Sequence, residues 1–352
     1  MLEAPEYKPG ETAVTDAAGR PVLMRHRVAL AVASMKDHMT DEGWQIMLGL
    51  KSAGYLLVGY GIEHKDIPEL TDCTDVAKIL QILQPSVVVL QDKREWDIRS
   101  GDFREEKARF TNVDALRDRS DIFKLTILKD AHQHPAYHRQ SAEEIGCHAW
   151  IVYYNPTVVH QLAPYTRREH LIRTYHTVDR DTIPPFPENR AGCLLSGAVS
   201  VAYPWREQLV RSIRNLPGVK YLPHPGYHRS GCATPDFLKL LSQHKVAICT
   251  ASLYGYALRK IIEAVACGCT VITNLPREDN LPAIDAALVR VAPEQMTIDR
   301  MAKLVAELES SYDRDKAEVY ARYAKGCYHY EAQGAALSYE IDRMRSSHWR
   351  LT

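Results

Sequence analysis

The chain carries no net charge. Lys and Arg together number 44 and so do Asp and Glu, and no tail is a block of one sign. Nothing global therefore draws it to nucleic acid or to an anionic membrane. C-x-x-C pairs are missing too. The eight cysteines (Cys73, Cys147, Cys193, Cys232, Cys249, Cys267, Cys269 and Cys327) are scattered through 352 residues, which argues against a disulfide framework and for reduced, mostly buried thiols in a cytoplasmic protein. No apolar run approaches the ~18 residues of a membrane span. The opening MLEAPEYKPGETAVTDAAGRPV lacks the apolar core of a signal peptide, and there is no repeat or low-complexity segment. What is present is ordinary for a folded protein, 45% hydrophobic and 25% charged. Its length suits two domains at roughly 100–200 residues each.

After the leader, RVALAVASM (27 to 35) is a short continuous apolar run, as in a strand buried on both faces. Trp44, Ile46, Met47, Leu50 and Ala53 then recur near helical spacing, with Thr40 or Asp41 as N-cap and Gly54 as the stop. LLVGYG (56 to 61) reads as the next strand, completing the βαβ unit of a parallel sheet. The alternation continues with helices over 75 to 84, 106 to 118, 141 to 147 and 157 to 165 and strands over 86 to 92, 124 to 130 and 148 to 155.

Between Thr177 and Arg190, TVDRDTIPPFPENR has three prolines and no apolar period, and reads as a linker. Strand and helix then alternate again through CLLSGA, YPWREQLVRSIRNL, VKYLPH, PDFLKLLSQH, VAICTA, YALRKIIEAVACG and TVITN. Helices over 296 to 327 and 335 to 349 end the chain. The expected architecture is α/β, with two Rossmann-like doubly wound domains over 1–185 and 186–334 facing a cleft. The last segment, 335–352, is able to cross back to the first domain. Ligands of such sheets bind beyond the carboxyl ends of the strands.

In YALRKIIEAVACGCTVITN (256 to 274), Arg259 and Glu263 are i and i+4 on one helix face. A plain surface ion pair of this kind contributes roughly 0.3–0.5 kcal/mol. The helix follows the strand VAICTA and the loop SLYGYA, so its N-terminal end falls at the carboxyl edge of the sheet. Oriented N–H groups and the helix dipole favour a phosphate there. Arg259, with Lys260 beside it, can meet a diphosphate, and Glu263 can accept hydrogen bonds from a ribose diol.

RKIIEAVACGCTVITN resembles the donor-site signature of retaining glycosyltransferases of the group 1 type, which have the two-domain GT-B fold. Glu263, Ala264, Ala266, Cys267 and Gly268 match its Glu-Ala-x-Ala-Cys-Gly motif. The resemblance implies that Glu263 binds the ribose of a nucleotide sugar. Many members keep a second acid eight positions earlier, where this chain has Gly255. Arg four residues before Glu, without that acid, is more similar to a sub-branch of spore-maturation-type glycosyltransferases.

LLSGAVSVAYPWREQLVRSI resembles the opening of the donor domain in that sub-branch. Gly197 would let backbone approach the phosphates and Arg206 would neutralise them; the plainer readings are a strand-ending turn and a solvated helix start. KYLPHPGYHRSG puts His224, Pro225 and Gly226 where the fold brings a loop over the nucleotide, with an ordinary surface loop as the alternative.

In the first half, ILKDAHQHPAYH holds Asp130, His132, His134 and His138 after a strand. Two of the histidines are two apart and there is no H-E-x-x-H, so no metal is expected. Group 1 glycosyltransferases commonly carry an Asp or His after this strand, which makes Asp130 and His132 candidates for acceptor orientation or general base. The loop SMKDHMTDEGW contributes Asp37, His38 and Gly43, and His38 is as good a base candidate as His132. QDKREWDIRSGDFREEKARF interleaves basic and aromatic residues, but its acids nearly balance the bases, so it reads as a solvated loop and helix face.

The resemblance implies a hexosyltransferase that uses a nucleotide sugar, for instance a UDP-sugar, as co-substrate and needs no cofactor or metal. The acceptor stays open among a glycan, a lipid, a small molecule and a modified DNA base. Two other readings share the fold: a nucleotide-sugar epimerase or hydrolase, and a catalytically silent GT-B-like binding protein, for which Gly255 is the argument.

Overall fold

The computed structural model describes residues 13–15, 21–24, 27–30, 42–91, 94–97, 102–108, 110–128, 130–224 and 234–351. The chain divides into two compact units, the first made of 1–175 and 330–352 and the second of 176–329.

Unit 1 opens with strands β1 (Ala13–Thr15), β2 (Pro21–Met24) and β3 (Arg27–Leu30), helix α1 (Glu42–Ser52) and strand β4 (Tyr55–Val58). It continues with α2 (Val76–Ile82), β5 (Leu83–Gln84), β6 (Val87–Leu90), β7 (Arg94–Asp97), β8 (Asp102–Ala108) and β9 (Phe123–Leu128). Then come α3 (Pro135–Ile145), β10 (Ala149–Val152), α4 (Pro156–Leu162) and β11 (Leu171–Arg173). Six strands pair in the order β11-β10-β9-β6-β3-β4, all parallel. The order reverses between β3 and β6, the switch point of a doubly wound sheet. Every residue of β6 and β10 is buried, as the short apolar runs VVVL and AWIV require in a sheet covered on both faces. Asp75 starts α2 by accepting a hydrogen bond from the Lys78 N–H at 3.2 Å.

Two expectations fail here. Residues 106 to 118 are not a helix: β7 and β8 form an antiparallel ribbon with Trp96 opposite Phe103, and Asn112, left-handed at φ 53°, opens a 3-10 turn over Val113–Leu116. The Glu, Lys and Ala of this stretch favour helix, and cross-strand pairing overrides that weak preference. The leader holds β1 and β2, with β2 paired to β5, where the sequence showed no strand pattern. Helix α3 also starts earlier than 141, on Pro135, a residue suited to a first turn because its missing N–H is not needed there.

Unit 2 contains β12 (Cys193–Gly197), α5 (Pro204–Arg211), β13 (Val219–Pro223), α6 (Thr234–Ser242), β14 (Val246–Ile248) and α7 (Arg259–Ala266). These are followed by β15 (Thr270–Thr273), β16 (Leu288–Arg290), α8 (Ile298–Ser310) and α9 (Arg314–Cys327). Its five strands are parallel in the order β13-β12-β14-β15-β16. Leu195, Ile248 and Ile272 of the strands pack with Trp205 and Leu209 of α5 and with Met301 and Val305 of α8. The single helix expected over 296 to 327 is two, because Asp313 caps α9 by accepting from the Lys316 N–H at 3.0 Å.

The last helix, α10 (Tyr330–Leu351), belongs to unit 1, where it packs on α1. The crossing is closest at two glycines: a Cβ on Gly334 would fall on the Gly49 backbone, and one on Gly49 would lie 3.1 Å from the Gly334 Cα. Backbone cannot move aside as a flexible side chain can. Gly334→Ala is therefore expected to lower stability by about 1–3 kcal/mol, the usual cost of overpacking, measured by urea unfolding followed on unit 1 tryptophans.

Candidate functional site

Three strands end together at the carboxyl edge of the unit 2 sheet. In register, Gly197 of β12 lies opposite Pro223 of β13, and Leu195 lies opposite Ile248 of β14. The loops after Gly197, Pro223 and Ile248 therefore leave from one edge, and they carry or position six candidate residues: Gly197, Arg206, His224, Arg259, Lys260 and Glu263.

Gly197 has φ +120°, a backbone conformation that side chains disfavour. The space its missing side chain leaves is filled by charge. A Cβ there would fall on the Lys260 ammonium and 2.7 Å from Arg206 Nη1. Arg206 is only 1% exposed, which rules out a solvated helix start. Its Nε donates to Thr250 Oγ1 at 3.0 Å and its Nη1 to the Ala198 carbonyl at 2.8 Å, while the guanidinium stacks 4.0 Å from the Tyr203 ring centre. Lys260 Nζ donates to the Ser196 carbonyl at 3.3 Å. Burial, and next the Arg206 charge, push the Lys260 ammonium down to about 8, against the opposing pull of Cys249 and Glu263. Two repelling cations seated on a side-chain-free Cα make a place where an anion relieves the repulsion.

Helix α7 begins at the same edge. Leu258, at its N-cap, makes no side-chain capping bond, so the partial positive charge of this helix end is not offset by a capping oxygen. Arg259 makes an ion pair within the helix. It turns along the helix to Glu263, with Nε 3.0 Å from Oε1, and the two are 8% and 7% exposed. This is a buried pair rather than a surface one, and deleting one partner of such a pair typically costs about 3–5 kcal/mol. Lys260 is a neighbour of Arg206.

The loop between β14 and α7 is fixed by its own polar groups. Ser252 Oγ accepts from the N–H groups of Tyr254 at 3.2 Å and Tyr256 at 3.4 Å. The Ala251 N–H donates to Asn274 Oδ1 at 2.8 Å, and the Leu253 N–H to the Ala202 carbonyl at 2.7 Å. Gly255 sits at φ +69°, where a Cβ would lie 3.0 Å from Pro276 Cγ. An acid at this position would need both a strained backbone and a displaced proline. Beyond α7 the Cys-Gly-Cys knot is packing: Cys267 and Cys269 are buried, and a Cβ on Gly268 would meet the Phe186 ring and Arg190 Nη1.

His224 directly follows Pro223 and is half-buried. Burial lowers its imidazole below the ordinary value, and the charges of Lys260 and Arg206 lower it further. Thr250, Tyr203 and Asn274 are the residues that sequence reasoning missed. A threonine ending an otherwise apolar strand run, VAICTA, was the available signal for the first.

In unit 1, Asp130 and His132 lie together after β9. Tyr154 donates its hydroxyl to Asp130 Oδ1 at 3.4 Å, and a turn closes from the Gln133 N–H to the Asp130 carbonyl at 2.8 Å. His132 is held below its ordinary value by burial, with Asp130 opposing. His134 stands apart in role, left-handed at φ 45° at the N-cap of α3. His38, with Asp37, lies outside the described residues, as do Pro225 and Gly226. Among the described residues no group of three His, Cys, Asp or Glu could hold a metal ion, and no helix is long and apolar enough to cross a membrane.

No family model matches the chain, and no curated protein does. Solved structures do. A glycosyltransferase from Rickettsia africae ESF-5 aligns at 12% identity and TM-score 0.54, covering 92% of this chain and 98% of that one. The fold is GT-B. Looser matches include a GtfA/B complex (13% identity, TM-score 0.46, 77% of this chain and 59% of that one). Another is the catalytic domain of starch synthase IV from Arabidopsis thaliana bound to ADP and acarbose (9%, 0.45, 77% and 75%). Likeness at that level fixes no residue roles. The present chain spans well under two thirds of the GtfA/B chain's length.

The GT-B chain's cation pair gives two expectations. In Gly197→Ala both cations must move and the backbone at φ +120° is strained, so some stability is lost together with the cation pair's geometry. Pyrophosphate affinity should fall roughly 10–100-fold, the range for losing charged hydrogen bonds, by calorimetry. Second, between pH about 8, where Lys260 titrates in the folded protein, and about 10.4, its ordinary value, only the unfolded chain keeps the proton. Stability should therefore rise with pH across that window. The rise should be absent from Lys260→Met, compared by chemical unfolding at pH 8 and pH 10.

Proposed function

We propose that the protein transfers a sugar from a nucleotide sugar to an acceptor, and that unit 2 binds the donor. One observation carries this: Arg206 and Lys260 packed on the side-chain-free Cα of Gly197, at the strand edge where α7 begins. A diphosphate laid against Gly197 meets both cations and the helix end. Glu263 stands one turn along α7. Its Oε1 faces Arg259, and a carboxylate has about four acceptor positions, so the pair holds the carboxylate in place for a ribose diol.

In the reaction the bond from the anomeric carbon to the diphosphate breaks as the acceptor oxygen bonds to that carbon. Negative charge collects on the leaving diphosphate, where fixed cations and a helix N-terminus stabilise it most. No metal is needed in this scheme. On the acceptor side we assign Asp130 and His132, with His38 as the other candidate base. A histidine held neutral at pH 7 can take the acceptor's hydroxyl proton, and His132 is lowered in that direction.

We further propose a UDP-hexose donor, cytoplasmic action, and kinship with the spore-maturation-type sub-branch, to which Arg259 before Glu263 and Gly255 in place of an acid correspond. Gly255 removes a side-chain contact to the sugar, so the sugar is held by backbone of the loop that Ser252 orders.

A thermal-shift panel of nucleotide sugars tests the donor site, followed by mass spectrometry of acceptor mixtures with the best binder. At least one nucleotide sugar should raise the melting temperature, and Glu263→Gln, which keeps the shape, should weaken it roughly 10–100-fold. Undiminished affinity in Glu263→Gln would remove the ribose assignment. Rapid epimerisation or hydrolysis of the donor without acceptor would replace transfer by those reactions, and no shift with any nucleotide sugar would favour a silent binding protein.

A further inference from the structure

His224 belongs to the same strand edge but is of a different chemical kind from its two neighbours. It follows Pro223, which is in register with Gly197, and so leaves the sheet beside the glycine that carries the cation pair. On its own strand, Tyr221 reaches the same place, donating its hydroxyl to the Gly197 carbonyl at 3.2 Å. Among the described residues, the charges that act on it are those of Lys260 from α7 and Arg206 from α5. Arg206 holds its charge at every pH of interest. The imidazole is the group whose charge the surroundings decide.

We propose that His224 is a proton-carrying ligand of the donor's diphosphate. It is neutral beside the two cations when no anion is bound, takes a proton from solvent as the diphosphate arrives, and adds a third positive charge against the departing phosphate. The proposal rests on the reading of unit 2 as the donor site. Its electrostatics follow from sign alone. Without an anion, partial burial first and then the charges of Lys260 and Arg206 oppose imidazolium. A diphosphate carries about two negative charges into the same space and reverses the balance. Proton and nucleotide are then linked: binding raises the imidazole's titration point, and the product nucleoside diphosphate returns the proton to solvent when it leaves.

The sign of the pH dependence is fixed by this. If the bound form holds the proton more tightly, affinity is highest at low pH and falls as pH rises from the free to the bound titration point. The fall is tenfold for each unit that separates the two. Lys260 gives its own decline, which begins only near pH 8. Nucleotide sugars have no phosphate ionisation in this range, so any proton taken up comes to the protein.

The test is histidine-imidazole NMR of the full chain, titrated from pH 5 to pH 8.5 with and without UDP-, ADP-, GDP- and TDP-glucose, the His224 signal being assigned by its loss in His224→Gln. The expected result is a rise of at least one pH unit in the His224 midpoint with the sugar nucleotide that binds. Affinity should fall with rising pH between the free and bound His224 midpoints in the wild type, tenfold for each unit between them, and not in His224→Gln. If a nucleotide sugar binds, shown by shifts at other residues, and the His224 midpoint stays put, the proposal fails and the donor-site reading stands. If none of the four shifts any resonance, the donor-site reading fails and takes this proposal with it.

Discussion

Gly197 is the constraint on which the site depends. Parallel pairing puts it at the strand edge beside Pro223, and its missing side chain is the space in which the Lys260 ammonium and the Arg206 guanidinium come together. Each cation is tied to sheet or loop backbone, Arg206 to Ala198 and Lys260 to Ser196. The sheet therefore fixes where the positive charge stands before any ligand arrives. Preorganised charge of this kind costs no rearrangement during the reaction.

The rest of unit 2 serves that placement. Thr250 and Tyr203 hold Arg206 from two sides. The loop from β14 to α7 is tied by Ser252, Asn274 and the Ala202 carbonyl, and it aims the uncapped start of α7 at the same edge. Arg259 and Glu263 form a buried pair, and losing either partner would leave the other's charge buried and uncompensated. At Gly255 a side chain would meet both a left-handed backbone and a close Pro276 ring.

Much of this was legible in the sequence. The apolar runs VVVL, AWIV and CLLSG read as buried parallel strands because nothing polar interrupts them, and they are. The Glu-Ala-x-Ala-Cys-Gly match pointed to α7, and the strand order placed the start of that helix at the carboxyl edge of the sheet. The arrangement within it was not legible, since i and i+4 spacing cannot say that the Arg259–Glu263 pair is buried while Lys260 turns to the sheet. Arg206 read either as a phosphate partner or, more plainly, as a solvated helix start, because a charged residue in a first helical turn usually is, and only the structure shows it buried. The β7 and β8 ribbon was missed because Glu, Lys and Ala suit a helix in isolation, and cross-strand partners such as Arg94 for Ala108 are invisible to a local pattern.

The central claim is that a donor diphosphate sits against Gly197 between two cations. Its most direct test is a crystal structure of the chain with the nucleotide sugar that gives the largest thermal shift. The account requires diphosphate oxygens within hydrogen-bonding distance of Lys260 Nζ and of the Arg206 guanidinium or the backbone just after Gly197, with ribose hydroxyls on Glu263. A diphosphate bound elsewhere, with Lys260 still on the Ser196 carbonyl and nothing against Gly197, would contradict it.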